Sequence, residues 1–260
     1  MCTVLIAWKM VAGWPLIAGN NRDEFFSRRA LPPRVYRAPE SAGRRWLASQ
    51  DLDGGGSWWG WNSRHLLVWL TNRWTGDQES AADCRSRGRL VTDLLRCGSA
   101  AAARQELERL CHAFRFNPFN LMVAGPEQLF LASNFPNLHF AELGPGFHFL
   151  GNGRLVDCPS LKARSARRLL TGLETGGQFR GPAGRDQVLA AFRRALATPL
   201  PQDSIPPQGF NVRFADYGTT ASLLLARPEA PTAADPRLLY CAGNPLVQPY
   251  RDYSGLVALL

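Results

Sequence analysis

Short apolar runs separated by turn residues fill the first part of the chain. Thr3–Trp8 and Trp14–Gly19 are two such runs on either side of residues 9–13, and together they predict a β-hairpin. A second hairpin is predicted for Ser57–Asn62 and His65–Asn72, joined around residues 62–64. Its tryptophans are expected to fill a core between layers. They are Trp58, Trp59, Trp61 and Trp69.

The apolar period changes to a helical one in two places. Residues 80–97 place Leu90, Val91, Leu94 and Leu95 at helical spacing, and residues 100–114, rich in Ala, Glu and Leu, predict a second helix. Two further helical segments are predicted over 160–170 and 186–197. The proline-rich stretch 198–208 then predicts an exposed loop, because proline supplies no backbone donor.

Strand patterns return between and after these helices. They cover residues 119–125, 128–133 and 146–153, and later 219–226 and 237–243 as one more hairpin. Antiparallel hairpins interleaved with helix pairs are typical of an α+β layered fold and not of alternating β-α-β units. No repeat or internal boundary is evident, so we predict one domain over residues 1–260.

Composition narrows the class of protein. Hydrophobic residues make up 45% of the chain and charged residues 20%, with no apolar run long enough to span a bilayer. The first apolar run lacks a preceding basic region and is broken by Lys9, so secretion is not indicated. The six cysteines contain no C-x-x-C pair, and the histidines have no metal-ligand spacing. We therefore expect a cytoplasmic protein with reduced thiols and no bound metal.

The net charge of +9 comes almost entirely from arginine. Arginine pairs bidentately with carboxylates and phosphates, which favours a small anionic or amphipathic partner. The arginines are scattered from Arg22 to Arg251 and no nucleic-acid-binding signature accompanies them, so a nucleic-acid partner is not expected. The sequence does not indicate an oligomeric state.

Cys2 is the first candidate for chemistry. Removal of Met1 would leave a thiol and a free α-amino group on one residue, and an amine with a pKa of about 7.7–8.0 can take the thiol proton at neutral pH. The predicted hairpin places Cys2 beside the loop after the second strand, where Asn20–Glu24 form a polar run. A solvated turn is the ordinary interpretation of such a run. However, Asp23 could hold an N-terminal amine, and Arg22 could pair with that Asp or with a substrate anion.

The polar run also carries a resemblance. "NRDE" at 21–24 is the motif that names the NRDE family, also called the transport and Golgi organisation protein 2 family, and "GGSWWGWN", "LTNRW", "SRGRLV", "NPFNLM" and "YGTTAS" follow in the family order up to about residue 225. This family resembles the N-terminal nucleophile hydrolases, especially penicillin V acylase and conjugated bile acid hydrolase. The resemblance implies a four-layer αββα sandwich with two antiparallel sheets flanked by helices.

The resemblance also implies roles for individual residues. Cys2 matches the nucleophile and Asp23 the carboxylate that anchors the amine, while Asn72 and Asn152 match polar groups that bind the oxyanion. An oxyanion donor of this kind can contribute about 3 kcal/mol to transition-state stabilisation. The candidate substrate-binding residues are Asn20, Asn21, Arg22, Glu24, Trp58, Arg73 and Arg213.

Two positions depart from the pattern of the resembling proteins. The hydrolases have an arginine three residues before the aspartate, where this chain has Asn20. The family block at 217 usually reads Tyr-Gly-Thr-Arg, and here Thr220 stands in the last position. A cation of the site is therefore missing from its usual place, unless Arg22 or Arg213 substitutes for it.

Two functions fit these observations. The first is an N-terminal-nucleophile amidohydrolase that cleaves a small amide or thioester with Cys2 as nucleophile and requires no cofactor. The second is a non-enzymatic binding or carrier protein for haem or acyl-coenzyme A, as proposed roles of the family in haem trafficking and lipid or coenzyme A metabolism imply. Fold analogy alone does not decide between them.

Overall fold

A computed structural model of the chain describes residues 2–37, 44–76, 81, 83–153, 161–176, 179–199, 210–229 and 236–260. The strands are β1 (Cys2–Val11), β2 (Trp14–Phe25), β3 (Ala30–Arg37), β4 (Arg45–Asp51), β5 (Trp59–Asn62), β6 (Leu67–Asn72), β7 (Phe119–Ala124), β8 (Leu129–Ser133), β9 (His139–Glu142), β10 (Gly146–Leu150), β11 (Tyr217–Arg227), β12 (Arg237–Cys241) and β13 (Arg251–Asp252). The helices are α1 (Arg87–Leu94), α2 (Ala100–Ala113), α3 (Leu161–Thr175) and α4 (Gly181–Ala197), and a 3₁₀ helix covers Ser254–Leu259.

The chain contacts separate into two compact units. The first unit comprises residues 1–27, 144–151 and 156–257, and the second comprises residues 28–143, 152–155 and 258–260. Among the described residues, each unit contains one antiparallel sheet and two α-helices. The prediction of a single domain stays a prediction.

The sheet of the first unit has the strand order β10-β1-β2-β11-β12-β13. Leu5 and Ile17 of its central strands pack with Val188 and Phe192 of α4 in one buried cluster. A Cβ at Gly19 would lie 2.9 Å from the Leu196 side chain, so the glycine allows α4 to lie close to β2. Helix α4 therefore covers the sheet face on which Leu5, Ile17 and Gly19 lie.

The sheet of the second unit has the order β3-β4-β5-β6-β7-β8-β9. Leu94 and Leu107 of α1 and α2 pack on Val68, Leu121 and other apolar residues of this sheet. Helix α2 begins after Ser99, whose hydroxyl accepts a hydrogen bond from the backbone N–H of Ala102. The predicted burial of the tryptophan-rich hairpin is confirmed for Trp58, Trp59, Trp61 and Trp69.

The three hairpins predicted from apolar runs are confirmed as the pairs β1–β2, β5–β6 and β11–β12. The helix predicted over 80–97 is shorter, because α1 begins after Ser86 and ends at Leu94. Strands β3, β4, β9 and β13 were not predicted. Most of the predicted loop over 198–208 lies outside the described residues.

The structure corrects the prediction that the polar run Asn20–Glu24 forms a loop. These residues lie inside β2, which continues to Phe25. The strand continues because it has a neighbour on each side, β1 as far as Arg22 and β11 as far as Phe25. Each of the side chains of residues 20–23 makes a hydrogen bond to another strand or to the end of α4, so this part of the run does not need a solvated turn.

Among the described helices, none is long and apolar enough to cross a membrane. Within the same described ranges, no group of three or more His, Cys, Asp or Glu side chains is arranged to hold a metal ion.

Candidate functional site

Three neighbouring strands of the first unit bring Cys2 and the polar run together. Strand β2 lies between β1 and β11, with Cys2 opposite Arg22 on one side and Thr219 opposite Asp23 on the other. Cross-strand partners point to the same face of a sheet, so the Cys2 and Arg22 side chains share the face opposite to α4. The sequence prediction that Cys2 lies beside this run is confirmed.

The Asp23 carboxylate is almost fully buried and is held by a threonine. Its Oδ1 atom accepts a hydrogen bond of 2.7 Å from Thr219 Oγ1, and the same hydroxyl accepts one of 3.0 Å from the Val212 backbone N–H. The Asp23 carbonyl accepts a further bond of 2.7 Å from the Tyr217 hydroxyl. Burial, followed by the nearby Asp23 carboxylate, raises the pKa of Tyr217, so its hydroxyl stays a donor. These contacts fix Asp23 from the β11 side.

The Cys2 thiol is buried at the start of β1. Burial is the largest cause that raises its pKa, and the Asp23 carboxylate adds to the rise. A hydrogen bond from the Asp23 backbone and the positive charge of Arg22 act in the opposite direction. Because the net effect is a raised pKa, the resting group is a thiol at neutral pH and needs a base before it can attack a carbonyl.

Arg22 is only 3% exposed and reaches across to β11. One of its terminal nitrogens donates a hydrogen bond of 2.8 Å to Thr220 Oγ1. The same hydroxyl donates to the Arg22 carbonyl at 3.3 Å, and Thr220 lies at an irregularity in the pairing between Thr219 and Ala221. The guanidinium group of Arg22 therefore lies at residue 220, where the sequence lacks the usual arginine.

The two asparagines before Arg22 differ in what their side chains contact. Asn21 donates from Nδ2 to the carbonyls of Leu196 and Phe210 and accepts a bond of 2.6 Å from Ser222. These bonds join β2 to the end of α4 on the helix-covered face. Asn20 donates to the Thr3 carbonyl at 2.8 Å, and its buried Oδ1 atom has no hydrogen-bond partner in the part of the chain that the structure describes.

Asn72 and Asn152, the predicted oxyanion residues, are neighbours in the second unit. Asn152 Nδ2 donates to the Asn72 carbonyl at 2.6 Å, and the Asn152 carbonyl accepts from the Trp74 backbone N–H at 2.8 Å. Asn120, which the sequence did not single out, donates to the Gly153 carbonyl at 3.1 Å. The structure therefore brings the two predicted residues together, while their catalytic role stays a prediction.

The remaining candidates lie in different surroundings. In the second unit, Arg73 donates to Ser133 Oγ at 2.6 Å and its guanidinium group lies 5.5 Å from the centre of the Phe135 ring. Trp58 is buried and its carbonyl accepts a bond from the Leu70 backbone. In the first unit, Glu24 is half-buried and Arg213 is exposed.

A cavity of about 890 Å³ adjoins the β2–β11 end of the first unit. Thr219 and Thr220, which bind Asp23 and Arg22, line one side of it. Sequence reasoning missed both threonines and Tyr217 as positioning residues. The "YGTTAS" block contains all three residues, but their contacts with β2 can be assigned only when the register of β11 against β2 is known.

A family model described as Transport and Golgi organisation 2 matches residues 1–224. No curated protein sequence matches the chain. The structure is similar to a Caenorhabditis elegans ortholog of N-acylethanolamine-hydrolyzing acid amidase, with a TM-score of 0.54 and 16% identity over 90% of this chain and 96% of that one.

It is also similar to a variant of conjugated bile acid hydrolase from Clostridium perfringens, with a TM-score of 0.51 and 11% identity over 97% of this chain and 96% of that one. At these identities the likeness concerns the fold. The predicted fold class, α+β with two antiparallel sheets flanked by helices as in the N-terminal nucleophile hydrolases, is confirmed.

Proposed function

The chain belongs to the Transport and Golgi organisation 2 family, and from that premise we propose that it is an amidohydrolase-like protein of the N-terminal nucleophile type. Its substrate is a small amide or thioester, and Cys2 is the nucleophile. The observation that carries the proposal is the cross-strand pair of Cys2 and Arg22 next to Asp23, whose carboxylate is fixed by Thr219.

The α-amino group of Cys2, exposed by removal of Met1, is the base. It takes the thiol proton, and the thiolate attacks the carbonyl carbon while the carbonyl π electrons move to oxygen. The raised pKa of the buried thiol supports this requirement for a base. The tetrahedral intermediate then collapses, the C–N or C–S bond breaks, and the leaving group takes the proton back from the ammonium group. Water then attacks the acyl carbonyl while the α-amino group takes its proton, the C–S bond breaks, the carboxylic acid leaves, and the sulfur takes the proton back as a thiol.

Arg22 supplies the positive charge beside the reacting sulfur. Its guanidinium group is held by Thr220 at 2.8 Å and lowers the free energy of negative charge near Cys2. Asn20, with its unpartnered buried carbonyl oxygen among the described residues, is the candidate acceptor for a substrate N–H. Asn72 and Asn152 are assigned to the oxyanion on the resemblance alone.

The test is acylation of Cys2 by an activated ester, measured by intact mass. The wild-type protein is expected to lack Met1 and to gain one acyl increment, which Cys2→Ala abolishes and Cys84→Ala, at a half-buried thiol elsewhere, keeps. Arg22→Gln should slow acylation by about 10²–10³, the loss expected for one charge-stabilising group. Retention of Met1, or an increment that persists in Cys2→Ala, would overturn the proposal.

The same experiment distinguishes the proposed hydrolase from a carrier protein. A non-enzymatic carrier for haem or acyl-coenzyme A would bind its ligand without a covalent increment on Cys2. Calorimetric titration of Cys2→Ala would then show the wild-type affinity, since a carrier does not use the nucleophile. Saturable binding with no acylation of the wild-type protein would favour this alternative.

A further inference from the structure

The cavity of the first unit is built partly from residues beyond the family match. One side consists of Arg213, Phe214 and the two threonines of β11. Further lining residues come from the segment 242–248, which follows β12 and lies after residue 224, where the family model ends. The family match therefore covers only part of the cavity lining.

The charges around the cavity favour an anion. Arg213 is the one charged side chain among the described residues that line it, and the other polar groups there are hydroxyls and amides. Arg213 forms no ion pair with any residue that the structure describes. Asp216 and Glu24, the acidic residues of the adjoining segments, do not line the cavity. An exposed guanidinium group without a carboxylate partner is suited to bind a carboxylate.

Exposed apolar side chains also line the cavity. Phe26 is 51% exposed and Val247 is 64% exposed, and both line the cavity. Their neighbours Phe25 and Leu246 are also large exposed apolar residues. A cluster of exposed apolar side chains at a concave surface is typical of a ligand site. Such a lining suits a ligand that carries an apolar group next to a negative charge.

The cavity also adjoins the residues of the proposed reaction. Thr220 lines it and binds Arg22 at 2.8 Å, while Thr219 lines it and binds Asp23 at 2.7 Å. A ligand in the cavity would contact the two side chains that position the cation and the carboxylate of the site. The same short stretch of β11 thus lines the cavity and positions Arg22 and Asp23.

We propose that this cavity binds a carboxylate on an apolar group, with Arg213 as the carboxylate-binding residue and Phe26 and Val247 as the apolar contacts. The inference rests on the proposed hydrolase function for its substrate class, namely amides whose leaving group is an apolar amino acid. In such an N-acyl amino acid, the scissile C–N bond lies one carbon from the carboxylate. The carboxylate end occupies the cavity next to Thr219 and Thr220, the two residues that bind Asp23 and Arg22.

The test measures binding by calorimetry to the full chain carrying Cys2→Ala, so that no reaction occurs. The probes are N-octanoyl-phenylalanine and its neutral carboxamide. We expect the acid to bind at least tenfold more tightly than the carboxamide, and Arg213→Gln to remove that preference. Val247→Asp should weaken binding of the acid by at least tenfold through charge repulsion and loss of the apolar contact.

Arg168→Gln is the matched control, because this exposed arginine of α3 does not line the cavity, and it should leave both affinities unchanged. Equal binding of acid and carboxamide, or an Arg213→Gln variant that keeps the preference, would overturn the inference. Because binding is measured without Cys2, arginine-dependent binding with no acylation of the wild-type protein would sustain this inference and refute the hydrolase. Acylation with no dependence on Arg213 would do the reverse.

Discussion

Removal of the Thr219 hydroxyl tests whether its hydrogen bond to Asp23 stabilises this end of the sheet. Thr219→Val preserves the shape and the β-branched character of the side chain but deletes one oxygen. That oxygen donates to Asp23 Oδ1 at 2.7 Å and accepts from the Val212 N–H at 3.0 Å, and all three residues are buried. The substitution therefore leaves a carboxylate oxygen and a backbone donor without the partner that each has in the native protein.

The size of the effect follows from these two contacts. A hydrogen bond to a charged group contributes about 1.5–3 kcal/mol, and a buried donor left unsatisfied costs about 1–3 kcal/mol. The two losses share one atom and are not additive, so we expect the free energy of unfolding to fall by about 2–4 kcal/mol. Urea titration followed by tryptophan fluorescence measures this change as a shift of the midpoint at constant slope.

The adjacent residue provides the matched control. Thr220→Val removes a hydroxyl whose partners are Arg22 atoms, but Thr220 is half-buried and lines the cavity, where water can replace it. We therefore expect a cost of about 1 kcal/mol or less. Two results would refute this reasoning: a free energy of unfolding for Thr219→Val within about 0.5 kcal/mol of the wild-type value, or equal losses of this free energy in the two variants. Either would mean that the buried contact with Asp23 does not stabilise this end of the sheet.

Two glycines and two thiols give further predictions. Gly60→Ala should lower the free energy of unfolding by about 1–3 kcal/mol, because the new Cβ would collide with the side chain of Leu95 at the end of α1. A urea titration with an unshifted midpoint would contradict this prediction. Gly172→Ala in α3 has open space around it and should raise the free energy of unfolding by about 0.5–1 kcal/mol in the same assay. Burial raises the pKa of Cys97 and of Cys111 from 9.0 to about 11. The unfolded state therefore releases these protons first as the pH rises. The contribution of the two thiols to the free energy of unfolding is complete below pH 9 and is lost between pH 9 and 11. The urea midpoint should therefore fall less over that range in the double Cys→Ala variant, and an identical fall would contradict the assignment.

The apolar hairpins were predictable because their signal is local. Each of the pairs β1–β2, β5–β6 and β11–β12 consists of two apolar runs close in sequence, so periodicity and turn residues suffice. Strand β3 lacks this signal, since it contains Pro32 and Pro33, and its pairing shifts between Leu31 and Arg34. Proline is tolerated there because β3 is the edge of its sheet, a fact that topology supplies and sequence does not.

The polar run was placed correctly beside Cys2 but given the wrong structure. Polarity at the end of an apolar strand ordinarily indicates a turn, because an unpaired buried polar group is costly. Here the partners come from far along the chain, such as Leu196 for Asn21 and Thr219 for Asp23. A local pattern cannot distinguish a solvated turn from a buried strand whose partners lie about two hundred residues away.

The same long-range pairing changes the meaning of Thr220. Read alone, a threonine in place of the usual arginine removes a positive charge from the site. In the structure, residue 220 lies across from the strand that carries Arg22, and the Thr220 hydroxyl accepts a hydrogen bond from that arginine. A long side chain at 220 would compete with Arg22 for this space, whereas a short hydroxyl receives it. The neighbouring strand β2 therefore supplies the positive charge of the site through Arg22. A departure from a motif has to be judged together with the residue that lies opposite it on the neighbouring strand.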